Sequence, residues 1–106
     1  MASRVRVDMA AAAQADLMDI LAWYDSKDAP DVGRRLVGDV VARMRQLEMF
    51  PDSGRVVPEL ELLALRELVM PPFRIVYRRD DGVVTIVRIW RSERLMTLGA
   101  DEAAMP

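Results

Sequence analysis

The sequence predicts an α+β fold, in which a hairpin of two helices packs on one face of a mainly antiparallel sheet. Apolar residues recur at helical spacings through the first half of the chain. A segment containing Pro51 and Gly54 interrupts that pattern, and apolar and charged residues then alternate as they do in strands. The predicted order is therefore strand, helix, helix, strand, strand, strand.

The N-terminal half is predicted to contain a short strand and both helices. Alternating arginine and valine from Ser3 to Asp8 predict a strand with one solvated face. From Met9 to Lys27 the apolar residues are spaced by three and four, which predicts a helix, and Asp8 is placed to cap its start. Pro30 suits the first turn of a second helix that extends to about Met49.

The apolar sides of the two helices define the predicted core of this half. Asp16, Asp19 and Asp25 are expected on other faces of the first helix. The predicted core positions of the two helices are Ala13, Leu17, Ile20, Leu21, Tyr24, Leu36, Val37, Val40, Val41, Met44 and Leu47.

The second half is predicted to form the rest of the sheet. A turn at Pro71-Pro72 and a tight hairpin at residues 80–82 separate three strands. The sheet face away from the helices is expected to be open or covered by a partner. We expect a single domain over residues 1–95, and the tail, 96–106, is a candidate for ordering by a partner. The three strands are predicted at Leu65 to Met70, Phe73 to Arg79 and Val83 to Trp90.

Composition restricts the classes of function. The chain has 106 residues and contains neither cysteine nor histidine, so disulfide scaffolds, thiolate catalysis and zinc sites are not expected. We expect no metal and no cofactor. The net charge of -2 disfavours sequence-specific nucleic-acid binding by this chain alone. No apolar run reaches the roughly 20 residues of a membrane helix, and no signal peptide is recognised, so we expect a cytoplasmic protein without membrane contact.

Several segments of the chain, in order, resemble the ParE/RelE toxin superfamily. The opening of the first helix, Ala15-Asp16-Leu17 with Ile20 and Tyr24, is similar to that of the family. The resemblance implies a RelE/ParE-like fold, and it covers the chain from about Val5 to Leu95. The other matching segments are Phe50-Pro51, Gly54-Arg55, Pro58-Glu59, Arg66 to Leu68, Pro71 to Arg78 and Val84 to Trp90.

One departure from the family pattern bears on function. Arg91 stands where many relatives carry histidine, and members that cut mRNA on the ribosome use His, Lys, Arg and Tyr together. The resemblance therefore implies the ParE branch. This means a toxin of a type II toxin–antitoxin system that inhibits DNA gyrase by binding, arrests growth and stabilises plasmids. An adjacently encoded antitoxin is the implied partner, in a toxin–antitoxin hetero-oligomer.

Three other functions stay open at this point. One is a RelE-like, ribosome-dependent mRNA endoribonuclease. Another is a non-toxic module of the same fold that binds its partner and represses an operon. The last is an α+β binding domain unrelated to toxins.

Most of the candidate site residues are arginines of the second half of the chain. Alternation can bring Arg66, Arg74, Arg78 and Arg88 to one sheet face as a cationic surface; the other interpretation is ordinary ion pairs with Glu67 and Asp80. The weak catalytic candidates are Arg66, Arg74, Tyr77, Arg88 and Arg91. The candidates for partner or target binding are Trp23, Arg78, Trp90, Arg91 and Arg94.

The aromatic candidates allow two interpretations each. Tyr77 is a general acid or stacking residue, or more simply a core residue whose hydroxyl reaches the edge. Trp90 is expected at a partly exposed binding position, with packing under the C-terminal segment as the alternative. Trp23 is expected on a flank of its helix, where a partner can contact it. The turn from Asp52 to Arg55 and the acidic pair Asp80-Asp81 are interpreted as structural.

Overall fold

The two predicted helices pack on one face of a five-stranded sheet. The computed structural model describes residues 4–57 and 65–91. Arg94 and the proposed tail lie outside these described residues. In chain order the elements are β1 (Arg6–Met9), α1 (Ala11–Ser26), α2 (Pro30–Arg45), a 3-10 turn (Gln46–Glu48), β2 (Arg55–Val56), β3 (Leu65–Met70), β4 (Phe73–Asp80) and β5 (Val83–Arg91).

The sheet is mainly antiparallel, as predicted. Its strand order is β1-β5-β4-β3-β2, and only the pair of β1 and β5 is parallel. The two-residue strand β2 was not predicted, because two residues are too short to display alternation. Arg55 of β2 pairs with Glu67 of β3, so the segment interpreted as a turn ends in the sheet.

Both helices form close to their predicted bounds. The predicted cap is wrong, since Ala10 precedes α1 without a side-chain cap and Asp8 instead pairs with Arg6 at 3.0 Å. Pro30 begins α2, as expected, and the 3-10 turn carries the chain on to Glu48. Within the described residues, no helix is both long and apolar enough to cross a membrane.

The main core lies between the helices and the sheet. On α1, Ala13 is fully buried, and Leu17, Ile20 and Tyr24 pack against the core, as the spacing predicted. The expectation for Asp16 was wrong, because its carboxylate is buried on the sheet side of α1. The buried members of this core are Ala13, Val40, Met44, Leu47, Leu68, Phe73, Ile75, Tyr77, Val84, Ile86 and Ile89.

The opposite face of the sheet carries a smaller buried cluster. Val57, Val76 and Trp90 form it, with Leu65 packed against them. Val76 and Trp90 alternate with core residues of β4 and β5, so their side chains point away from the helices. The expectation of an open second face is therefore wrong at this position, because the chain buries these apolar side chains itself.

The loop before β2 is fixed against the core by close packing. A Cβ atom on Gly54 would lie 2.6 Å from the hydroxyl of Tyr77 and 2.7 Å from the backbone oxygen of Glu67. Real Cβ atoms do not approach a backbone oxygen so closely, so a larger residue has to displace the loop or β3. On the exposed side of α2, by contrast, a Cβ on Gly38 would meet no atom within 4 Å.

We expect Gly54→Ala to lower the free energy of unfolding by about 2 kcal/mol or more, because the methyl group overpacks a closed site. Gly38→Ala is the control, and it should raise stability by about 0.5–1 kcal/mol through helix propensity. Urea unfolding of the two variants and the wild type measures both effects. Equal stability of Gly54→Ala and the wild type would contradict the packing described here.

Candidate partner-binding site

The end of β5 lacks a neighbouring strand on one side within the described residues. β1 pairs only with Val83 to Ile86, and β5 continues to Arg91. The backbone N–H of Ile89, beyond the end of β1, donates instead to the carboxylate of Asp16 on α1 at 2.8 Å. A side chain thus provides the acceptor that a strand provides elsewhere in the sheet.

Arg88 reaches the same carboxylate. The register between β4 and β5 shifts between Val76 and Tyr77, which leaves one extra residue in β5 just before Arg88. Nε and Nη2 of Arg88 donate to the two oxygens of Asp16 at 2.8 and 3.0 Å. This bidentate pair is mostly shielded from solvent, and the guanidinium of Arg88 also lies 4.8 Å from the ring centroid of Trp90.

A cleft of about 270 Å³ opens between α1 and the end of β5. Its floor is apolar, with Phe73 and Ile89 from the sheet and Ile20 from the helix. This volume falls just below the roughly 300–1,000 Å³ of small-molecule pockets. The lining residues are Asp16, Asp19, Ile20, Trp23, Tyr24, Phe73, Ile89, Trp90 and Arg91.

The mouth of this cleft combines an exposed tryptophan with an exposed arginine. Trp23 is 48% exposed, and the guanidinium carbon of Arg91 lies 5.2 Å from its ring centroid. The same guanidinium lies 6.0 Å from the ring of Phe73, and the ammonium of Lys27 lies 5.5 Å from Trp23. Tryptophan and arginine are the residue types that most often dominate binding energy at protein interfaces. We call the cleft formed by these lining residues, with Trp23 and Arg91 at its mouth, the partner-binding cleft.

The predicted arginine surface forms only in part. Arg74, Arg78 and Arg88 occupy the face away from the helices, but Arg66 pairs with Tyr77 and therefore lies on the helix side. Each of the three contacts an acid: Arg74 with Glu67, Arg78 with Asp80, and Arg88 with Asp16. Arg66 donates to the carbonyl of Gly54 at 2.8 Å. The set is thus mainly engaged within the chain.

Glu67 is a buried acid that the sequence analysis named only as an ion-pair partner of the arginines. Its side chain is fully buried on β3 and accepts hydrogen bonds from Arg55 at 2.8 Å and from Arg74 at 2.7 Å. A buried carboxylate needs such partners, because leaving it unpaired costs several kcal/mol. The arrangement is therefore structural, and it ties β2 and β4 to β3.

Tyr77 lies in the core and not in the cleft. Its hydroxyl accepts the backbone N–H of Gly54 and donates to the carbonyl of Pro51, both at 2.9 Å. Burial raises the pKa of Tyr77 above its ordinary value of 10.0, which the hydrogen bond from Gly54 partly offsets. Among the catalytic candidates, Tyr77 is thus occupied in holding the loop before β2.

Trp90 differs from its expected position. It is only 4% exposed, so the expectation of a partly exposed binding residue is wrong, although Trp90 still lines the cleft. Its neighbour Arg91 is exposed, because alternation places it on the other side of β5, at the mouth of the cleft.

Asp16 is a residue of the cleft that the sequence analysis placed on another face of α1 and did not name as a site residue. It lies three residues after Ala13 and four before Ile20, and so it belongs to the apolar stripe of α1. A single acid on an apolar stripe was the available signal. Within residues 4–57 and 65–91, no cluster of carboxylates has the arrangement of a metal site.

The structure defines a small α+β domain with an apolar cleft between α1 and the end of β5. Residues 7–96 match the sequence model of the family described as the ParE toxin of the type II toxin–antitoxin system parDE. The chain therefore belongs to the ParE toxin family. No curated protein sequence matches it significantly.

The solved structures that are similar to this chain include two from toxin–antitoxin systems. A chain of the chromosomal ParDE toxin–antitoxin system from P. aeruginosa aligns with a TM-score of 0.73 and 26% identity, covering 85% of this chain and 98% of that one. A chain of the toxin–antitoxin complex RelBE2 from Mycobacterium tuberculosis aligns with a TM-score of 0.64 and 22% identity, covering 83% and 98%. The second likeness concerns the fold alone.

We expect Tyr77→Phe to lower the free energy of unfolding by about 1–2 kcal/mol near neutral pH, since two hydrogen bonds to buried backbone are lost. The raised pKa means that folding favours the protonated phenol. The advantage of the wild type should therefore be complete below about pH 10 and shrink as pH rises further. Urea unfolding of the wild type and Tyr77→Phe near neutral pH and above about pH 10 tests this. A stability difference between the two proteins that grows as pH rises would contradict it.

Proposed function

We propose that this chain is a toxin that binds DNA gyrase in the cytoplasm and inhibits it, and that an adjacently encoded antitoxin neutralises it. The observation that carries the proposal is the exposed pair of Trp23 and Arg91 at the mouth of an apolar cleft. Membership in the ParE family supports the gyrase branch, because the family model that matches is that of ParE.

The chemistry of the site supports binding over catalysis. The chain has no histidine, so the side chain most often used for proton transfer near neutral pH is missing. Arg91 occupies the corresponding position, and arginine does not act as a base at that pH. The hydroxyl of Tyr77 is engaged by two backbone groups, and its raised pKa disfavours the phenolate.

Exposed apolar side chains support the antitoxin as a second partner. Met18 on α1, Val69 on β3, and Met49 and Phe50 after the 3-10 turn are between 42% and 65% exposed. Large apolar side chains on several sides of a small domain suit a partner segment that wraps around it and becomes ordered on binding. The P. aeruginosa structure is that of a ParDE system, which supports an antitoxin of the ParD type.

We expect Trp23→Ala and Arg91→Ala each to weaken gyrase inhibition about thirtyfold, the equivalent of about 2 kcal/mol for a central interface residue. Arg35→Ala, an exposed arginine on α2, is the matched control and should inhibit like the wild type. Half-inhibitory concentrations in a gyrase supercoiling assay give the comparison. Circular dichroism and Tm establish that each variant is folded.

Induction of the chain alone in bacteria separates the rival functions. Growth arrest with altered plasmid supercoiling and intact mRNA is expected. Growth arrest with mRNA cut at fixed codon positions would contradict the proposal and indicate a RelE-like ribonuclease. Folded protein without growth arrest would contradict toxicity and indicate a binding module.

A further inference from the structure

Asp16 and Trp23 lie on the same side of α1, about two helical turns apart. They are separated by seven residues, or about 10 Å along a helix, and Ile20 lies between them. All three side chains line the partner-binding cleft. Asp16 is buried and Trp23 is half exposed, so position 16 marks the closed end of the cleft and position 23 marks its mouth.

The opposite wall is the end of β5. Ile89 contacts Asp16 through its backbone N–H, and Arg91, two residues or about 7 Å further along the strand, contacts the ring of Trp23. Because β1 ends beside Ile86, the three hydrogen bonds accepted by Asp16 attach this part of β5 to α1. The placement of Arg91 relative to Trp23 therefore depends on the placement of Ile89 relative to Asp16.

We propose that Asp16 is a positioning residue for the partner-binding cleft, acting through Arg88 and the backbone of Ile89. It contacts no target itself, since its side chain is 11% exposed and its oxygens accept hydrogen bonds from within the chain. It holds the end of β5 at the distance from α1 that brings Arg91 over Trp23. The functional consequence rests on the proposed inhibition of gyrase.

Asp16→Asn is the informative substitution. The amide keeps the size of the side chain and an oxygen that accepts the N–H of Ile89, but it removes the negative charge that pairs with Arg88. Asp25→Asn is the matched control, because it makes the same charge change at an exposed position of the same helix. Arg88→Gln and the double variant complete a double-mutant cycle.

Two measurements are made on each purified full-length variant. Amide hydrogen exchange reports the backbone of β5, and the gyrase supercoiling assay reports the half-inhibitory concentration. We expect Asp16→Asn to accelerate exchange at least about tenfold at Ile89 and Arg91, with β3 unchanged, and to raise the half-inhibitory concentration about tenfold or more. The double variant should be no weaker than either single variant, and Asp25→Asn should match the wild type.

Three outcomes for Asp16→Asn would overturn the proposal. Unchanged exchange at Ile89 and Arg91 would mean that Asp16 does not hold β5. Acceleration spread equally over β3 and β5 would mean that the carboxylate only stabilises the whole fold. Local acceleration with undiminished inhibition would mean that the cleft geometry is irrelevant to the target.

The two proposals fail separately. If the wild type itself does not inhibit gyrase, the proposed function is wrong, and the exchange measurement alone then decides whether Asp16 positions the end of β5. If the wild type inhibits gyrase and Asp16→Asn matches it in both measurements, the proposed function stands and the role of Asp16 is wrong.

Discussion

The contact between Asp16 and the end of β5 is the constraint on which the site depends. It joins Asp16 to Arg88 and Ile89, which follow it by 72 and 73 positions in the chain. It holds α1 against the part of β5 that extends beyond the end of β1. An uncovered strand edge leaves backbone groups without partners and invites pairing with other chains. Here a buried carboxylate meets that need, with Arg88 balancing its charge. The apolar cleft lies beside this contact, between α1 and the end of β5.

The buried acids of the sheet and of α1 are paired with arginines of the strands. Glu67 and Asp16 are buried, and each is satisfied by arginines on the sheet. Of the arginines that were predicted to share one sheet face, Arg74 thereby links β4 to β3, and Arg88 links β5 to α1. Arg91 is exposed, and its guanidinium lies against the rings of Trp23 and Phe73 at the mouth of the cleft. This distribution of arginines supports the proposed recognition of a partner protein, because little of the positive charge on the strands is left as a separate cationic surface.

Sequence reasoning recovered the elements that periodicity controls. The helices follow from apolar residues spaced by three and four, and the three C-terminal strands follow from alternation and turn residues. Of the two interpretations of Tyr77, the core position is the one that the structure shows. The ion pairing of Glu67 was one of the two interpretations of the strand arginines, but the burial of Glu67 and of Asp16 was not foreseen, because burial of an acid depends on tertiary partners. Arg88 reaches Asp16 beyond the register shift in β5. Trp90 was misplaced because a second apolar cluster, formed with Val57, covers a face that alternation cannot identify as buried.

The most direct test of the account replaces Asp19 with a photo-crosslinking phenylalanine derivative and irradiates cells that produce this chain. Asp19 is exposed and lines the cleft, so a side chain there reacts with whatever molecule occupies it, while Trp23 and Arg91 stay in place. The account predicts a covalent product with a DNA gyrase subunit, which disappears when the antitoxin is co-produced in excess. Products with ribosomal proteins or ribosomal RNA, and none with gyrase, would contradict it.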